Sequence, residues 1–146
     1  MTKLQTVSKV LEVKDLNKED LALQSKKIRD RLDNERACLA GLEEKFADIV
    51  AAYEDAQTGL PLNVHELELY SDYLLQLEKK IARQRLLVAE RAEELAGKQR
   101  ELLEVHKQAK TLELLKDKIG RDIAREHGQS EQKEMDLLFL QRKARQ

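Results

Sequence analysis

The fold is decided by one short stretch near the middle of the chain, Thr58-Gly59-Leu60-Pro61-Leu62-Asn63. Gly59 can take the left-handed conformation that ends a helix. Pro61 cannot continue a helix, because its ring removes the backbone donor and clashes with the preceding turn. Asn63 is typical of a helix N-cap, with Glu66 three residues further on. One helix therefore ends in this stretch and another begins.

On both sides of this stretch, apolar residues recur at alternating steps of three and four. From Leu4 to Ala56 this frame has sixteen positions, of which twelve are apolar, and from Leu67 to Glu126 it has eighteen, of which thirteen are apolar. The frame resumes at Leu137 and Leu140. Because a seven-residue repeat sustained over this length keeps one helix face toward its partner, it drives two helices into a left-handed supercoil. The exceptions in the first half are Lys14, Lys18, Ser25 and Glu35.

The six-residue link predicts two antiparallel helices, since short links join neighbouring helices. We predict an all-α chain: one coiled-coil hairpin domain over residues 1–146, with helix one at about 3–57, a turn at 58–63 and helix two at about 64–143. Folding about the turn pairs residues whose numbers add up to about 121. Helix two is then longer than helix one and overhangs the N-terminus from Gly120 onward. This open end comprises residues near Met1–Val13 and the part of helix two from Lys107 to Gln146.

Composition excludes several classes of protein. Charged residues make up 38% and aromatic residues 3% of the 146 residues, with one Pro and five Gly. So few turn formers and large side chains argue against an α/β enzyme, a β-sandwich or a disulfide scaffold, and the single Cys38 cannot form an internal disulfide. A net charge of -1 argues against a nucleic-acid partner. No apolar run approaches the ~18 residues that cross a membrane, so we expect no direct membrane insertion and a cytoplasmic location.

Residues that could support catalysis are scattered along the chain. His65-Glu66 begins like a zinc-protease helix, but Leu69 stands where the second histidine ligand is needed. Catalysis also needs groups that converge in a concave pocket, which a two-helix rod does not offer. We therefore predict no enzymatic activity, no cofactor and no metal site.

The turn end of the predicted rod has a distinct charge and composition. Residues 43–72 hold eight acids and one base, which leaves a net positive balance for the remainder. Four of the five aromatic residues gather there, namely Phe46, Tyr53, Tyr70 and Tyr73. Some leucines of helix two lie off the heptad frame, and they either widen the seam or form a partner surface: Leu75, Leu86, Leu87, Leu103, Leu114 and Leu115.

Several short motifs of the second helix resemble those of one family. Leu112-Glu113-Leu114-Leu115-Lys116-Asp117-Lys118 is similar to its "LE-x-L-K-x-K" stretch, and Glu131-Gln132-Lys133-Glu134-Met135-Asp136 is similar to its "E-Q-K-x-x-D-E" tail, with Leu137 in place of the second acid. Tyr73-Leu74 with Leu77 resembles its start of helix two. Over essentially its whole length, the chain thus resembles the FliJ family of flagellar export proteins.

This resemblance implies a stalk-like component of the flagellar type III export apparatus, peripherally associated with the inner membrane at the flagellar basal body. Its implied partners are the export ATPase ring, whose assembly it promotes, the cytoplasmic domain of the export gate protein, and export chaperones. For the gate we expect contacts at the turn end, through Phe46, Tyr53, Tyr70, Asp72, Tyr73 and Leu77. For the ATPase we expect contacts at the open end, through Lys116, Arg121, Arg125, Arg142, Lys143 and Arg145.

Two alternatives remain open from the sequence. The equivalent stalk protein of virulence type III secretion systems shares this layout. A general coiled-coil chaperone or scaffold is the other, and it predicts either many partners bound along an open apolar seam or simple self-association.

Overall fold

The computed structural model describes residues 2–145 of the chain. They form two helices, α1 (Lys3–Thr58) and α2 (Val64–Ala144), and no strand. The predicted all-α hairpin of two long helices packed against each other is confirmed. The assignment of the whole chain to a single domain stays a prediction. Met1 and Gln146, which we placed at the open end, lie outside the described residues.

The turn between the helices is stabilised by local hydrogen bonds. The Thr58 hydroxyl and the Gly59 N–H both donate to the carbonyl of Asp55, at 3.0 and 3.1 Å. Gly59 does not adopt a positive φ, so the expected left-handed cap is wrong. The last turn of α1 is stabilised instead by these two hydrogen bonds. Pro61 ends the helix, because it has no N–H to extend it. The N-cap at Asn63 is confirmed, because its side-chain oxygen accepts the Glu66 N–H at 3.2 Å.

The start of α1 is closed by a reciprocal pair of capping bonds. The Gln5 N–H donates to the Thr2 hydroxyl, and the Thr2 N–H donates to the Gln5 side-chain oxygen, both at 3.2 Å. This is the capping-box arrangement, in which the N-cap and the third helical residue satisfy each other's free donors.

The chain divides into two compact units. Unit 2 spans Leu21–Arg100, and its core follows the predicted heptad frame, since every frame position in this unit is buried or half-buried. Gln84 donates to the carbonyl and to the carboxylate of Glu35, at 2.9 and 2.6 Å, which matches the predicted register. The buried apolar residues of this unit are Leu21, Ile28, Leu32, Leu77 and Ile81.

Unit 1 combines the chain up to Asp20 with the chain from Glu101 onward. Leu11 and Ala109 are its buried apolar residues, and Lys14 donates to the side chain of Gln108 at 2.8 Å, again in the predicted register. From residue 123 to residue 145 every side chain is exposed, although α2 continues to Ala144. We call residues 123–145 the arm. Gly128 lies inside this helix without ending it.

Candidate partner-binding surfaces

Residues 2–145 contain neither a group of side chains that could hold a metal ion nor a helix that could cross a membrane. No three histidine, cysteine, aspartate or glutamate side chains among them are grouped so that they could hold a metal ion. Neither α1 nor α2 has a segment long and apolar enough to cross a membrane. The surfaces that remain as candidate functional sites are exposed patches of the two helices.

The first patch surrounds the turn in unit 2, where the structure brings the predicted aromatic residues together. The rings of Tyr53 and Tyr70 meet edge to face, with centroids 6.4 Å apart and planes at 76°. Lys45 Nζ lies 5.9 Å from the centre of the Tyr73 ring, a cation–π geometry. Phe46 is half-buried, like the three tyrosines. These aromatic side chains therefore stabilise the hairpin and each presents only part of its surface.

Two of the predicted gate-contact residues differ sharply in accessibility. Asp72 is exposed, whereas only 1% of Leu77 is accessible. Leu77 lies on the heptad seam between the helices, where its frame position predicts it. An incoming protein cannot reach its side chain while the hairpin is closed, which argues against its predicted part in the gate contact. Its role is to stabilise unit 2.

The sequence reading missed the apolar character of the turn itself. Leu60 is 92% exposed, and Leu62, Val64 and Leu69 are also exposed. They stand within the acidic stretch of residues 43–72, which has eight acids and one base. Leu60 and Leu62 stand in the stretch Thr58–Asn63, which we interpreted only for its helix-breaking residues. An apolar turn inside an acidic region is suited to a partner with an apolar cleft and a basic rim.

The second patch is the C-terminal part of unit 1. All six residues predicted for the ATPase contact are exposed there: Lys116, Arg121, Arg125, Arg142, Lys143 and Arg145. Arg125 is engaged within its own helix, because its guanidinium lies 2.6 Å from the carboxylate of Asp122. Three basic side chains lie nearest the C-terminus, those of Arg142, Lys143 and Arg145. They make no ion pair within residues 2–145, so they are available to a partner.

The arm also exposes apolar side chains that the sequence reading had not assigned to a surface. They are Ile123, Met135, Leu137, Leu138, Phe139 and Leu140, each about half exposed or more, with Phe139 at 66%. At 100° per residue, Leu137 and Leu140 share one helix face, while Met135, Leu138 and Phe139 share the opposite one. One turn of the arm is thus apolar around its whole circumference, which is typical of a helix that becomes buried.

The leucines off the heptad frame resolve into two groups. Leu87 is half-buried, so it widens the seam of unit 2. Exposed side chains are found at Leu75, Leu86, Leu103, Leu114 and Leu115. Isolated exposed leucines are common on helices, and none of these forms a run comparable to Leu137–Leu140.

Comparison with known proteins gives one match. The family model described as the flagellar FliJ protein matches residues 3–146, nearly the entire chain. Neither the curated proteins nor the solved structures compared with the chain gave a match. Because the family model covers far more than half of the sequence, the chain belongs to the flagellar FliJ family, whose members are associated with the flagellar protein export apparatus.

Proposed function

We propose that this protein is a non-enzymatic, stalk-like component of the flagellar type III export apparatus. In this proposal it binds the export ATPase ring and promotes ring assembly through unit 1, and it binds the cytoplasmic domain of the export gate protein through unit 2. It acts in the cytoplasm, peripherally associated with the inner membrane at the flagellar basal body. The family supports the association with the export apparatus; the division of partners between the units rests on the surfaces described above.

The single observation that carries the proposal is the arm. It remains helical to Ala144 while every side chain from residue 123 to residue 145 is exposed. The arm is apolar around a full turn at Leu137–Leu140 and basic at Arg142 and Lys143. A single flanking helix can cover only part of this apolar surface. A socket inside a protein ring covers such a helix on all sides, and acidic residues at the rim of the ring would pair with the basic end.

The gate contact is proposed for the turn end of unit 2. Asp72 is exposed and Tyr73 is half-exposed, and both lie close to the end of an acidic stretch. Tyrosine suits an interface because it presents a large apolar ring together with a hydroxyl group. The acidic surroundings would steer association with a basic surface, an effect that salt weakens.

A truncation tests the ATPase assignment. Deleting residues 121–146 should strongly reduce stimulation of the purified export ATPase, whereas the remaining hairpin keeps its seam and should keep its helical circular dichroism signal per residue. As a matched control, the full-length Lys26→Glu/Lys27→Glu variant changes two exposed lysines of unit 2 and should stimulate normally. Full stimulation by the truncated protein would contradict the proposal.

Handling of export chaperones is a second candidate function, favoured by the exposed leucines of α2 in unit 2, Leu75 and Leu86. An exposed leucine on a helix can insert into the groove of a small helical partner. Leu86→Asp should then weaken chaperone capture and leave ATPase stimulation unchanged. Unchanged capture would remove this candidate.

A further inference from the structure

The arm combines an apolar segment with charges of opposite sign on its two sides. On the N-terminal side of Leu137–Leu140 lie three acids, Glu131, Glu134 and Asp136, and one base, Lys133, so the net charge is negative, and on the C-terminal side lie three bases, Arg142, Lys143 and Arg145. At 100° per residue, Lys133 lies on the helix face opposite Met135, Leu138 and Phe139. The midpoint of the acids is near residue 134 and that of the bases is near residue 143. Halfway between them is residue 138 or 139, which is also the middle of the apolar segment. The net charge along the arm therefore changes from negative to positive about the apolar segment. Two arms that run in opposite directions would place opposite net charges beside each other.

From this pattern we infer that two copies of the free protein associate through antiparallel pairing of their arms, centred at Leu138 and Phe139. A two-fold axis at this point lays the apolar segment of one copy against that of the other. The same register brings each acidic side close to the partner's basic side, so the alignment that matches the apolar segments and the alignment that matches the charges agree to within one residue. This inference goes beyond the proposed stalk function and does not depend on the ATPase contact.

The helical positions of the charges favour the antiparallel direction. With Met135, Leu138 and Phe139 facing the second copy, the 100° spacing places Glu134 and Arg145 on one flank. The same spacing places Asp136 and Lys143 on the other flank. In an antiparallel pair related by a two-fold axis, like flanks meet, so Glu134 faces the partner's Arg145 and Asp136 faces the partner's Lys143. In a parallel pair unlike flanks meet, which brings acid beside acid and base beside base.

The contacts of the arm are compatible with this arrangement. Within residues 2–145, Glu134, Lys143 and Arg145 make no ion pair, and Asp136 only accepts a hydrogen bond from Gln132 at 3.1 Å. Residues 121–130 separate the paired segment from the start of α1 and act as a spacer of roughly 15 Å. The bodies of the two copies would therefore not collide at this register.

The paired segment is short, so we expect the two copies to associate weakly. About 15 residues of each arm, roughly 22 Å of helix, take part. Such an interface is at the low end of the sizes found for specific complexes, so we expect a reversible dimer with a Kd on the order of 10 μM. Pairing would cover Met135, Leu138 and Phe139 until another partner takes the arm.

Sedimentation velocity of the full-length protein over a dilution series tests this inference. The wild-type protein should shift from dimer to monomer on dilution. Glu134→Lys/Asp136→Lys and Lys143→Glu/Arg145→Glu should each weaken self-association at least about tenfold, which corresponds to about 1.4 kcal/mol. Mixing the two variants should restore a dimer, because each supplies the charges that the other lacks. The Lys26→Glu/Lys27→Glu variant changes the net charge by the same amount as Lys143→Glu/Arg145→Glu, but outside the arm. It should dimerise like the wild type.

The direction of pairing is tested by a distance between labels. In a Cys38→Ala chain with Ala124→Cys, spin labels in the two copies should lie roughly 45 Å apart if the arms are antiparallel. Parallel arms would hold them within about 10 Å plus the length of the labels. A monomeric wild-type protein, charge-reversed variants that dimerise normally, a mixture that stays monomeric, or the short distance would each overturn the inference. None of these outcomes bears on stimulation of the ATPase, which is measured separately.

Discussion

Residues 21–100 and the arm carry the same heptad repeat, and they differ in what covers it. In unit 2 every heptad position is buried or half-buried, whereas every position of the same frame from Ile123 to Ala144 is exposed. A heptad repeat thus predicts which face of a helix is suited to burial. It does not predict whether the partner belongs to the same chain. Where a repeat extends beyond its partner helix, its apolar face is exposed and becomes a candidate binding surface.

The two regions also differ in what stabilises them. Unit 2 has a buried apolar seam, and the burial of each large side chain contributes about 1.5–3 kcal/mol. The arm has only helix propensity and local ion pairs such as Arg125 with Asp122, 2.6 Å apart, each of which contributes about 0.2–0.5 kcal/mol. Since isolated helices are marginal in water, the arm is the part of α2 that gains most from a partner.

The largest expected difference is in the effect of removing one leucine side chain. Leu77→Ala should lower the free energy of unfolding by about 2–4 kcal/mol, because the side chain is fully enclosed and its loss leaves a cavity. Leu138→Ala should change it by less than about 0.5 kcal/mol in dilute protein, because the side chain is already exposed. Urea unfolding followed by circular dichroism measures both. Equal losses would mean that the arm is packed against the hairpin.

A smaller effect is expected at the turn end of unit 2. Asp72→Lys combined with Tyr73→Ala should weaken binding to the export gate domain by about 1–3 kcal/mol, the range of a modest hot spot. Titration calorimetry with the purified domain gives this value. Helix content and ATPase stimulation should be unchanged, because Asp72 is exposed and Tyr73 lies beside the seam. Loss of ATPase stimulation with gate binding intact would show that the two partners are assigned to the wrong units.

The smallest predicted effect is a gain of stability at a polar seam position. Ser25 is 4% exposed, and its hydroxyl has no hydrogen-bond partner among the described residues. Ser25→Ala removes an unsatisfied buried polar group and adds helix propensity, so the free energy of unfolding should rise by about 1 kcal/mol. Thermal unfolding of the variant tests this value. A loss of similar size would mean that the hydroxyl is hydrogen-bonded in solution.

The sequence was sufficient to predict the hairpin and its register. Leu32 and Ile81 are buried where the heptad frame placed them, and Lys14 meets Gln108 as the fold about the turn required. These features depend on periodicity and on one local breaker, which a single sequence contains. The polar frame residues Lys14 and Glu35 did not disrupt the seam, because each meets a glutamine of the opposite helix.

The candidate surfaces were predicted less completely. Leu77 was assigned to a partner from its position near the tyrosines, but a residue on the seam is covered by the opposite helix first. Leu138 and Phe139 were overlooked because they lie off the heptad frame, and only the exposure of the whole arm shows that no neighbour covers them. Exposure depends on where the partner helix ends, and this is a property of the packed structure.

Hydrogen exchange of the free full-length protein tests the contrast between unit 2 and the arm most directly. The protein is kept dilute, below the concentration at which the arms pair, and exchange is read by mass spectrometry of peptides. Amides of residues 123–145 should exchange at least about 100-fold faster than those around Ile28, Leu32 and Ile81, since the arm opens locally while the seam opens only with unit 2. Equal protection of the arm and the seam in the monomer would contradict this account.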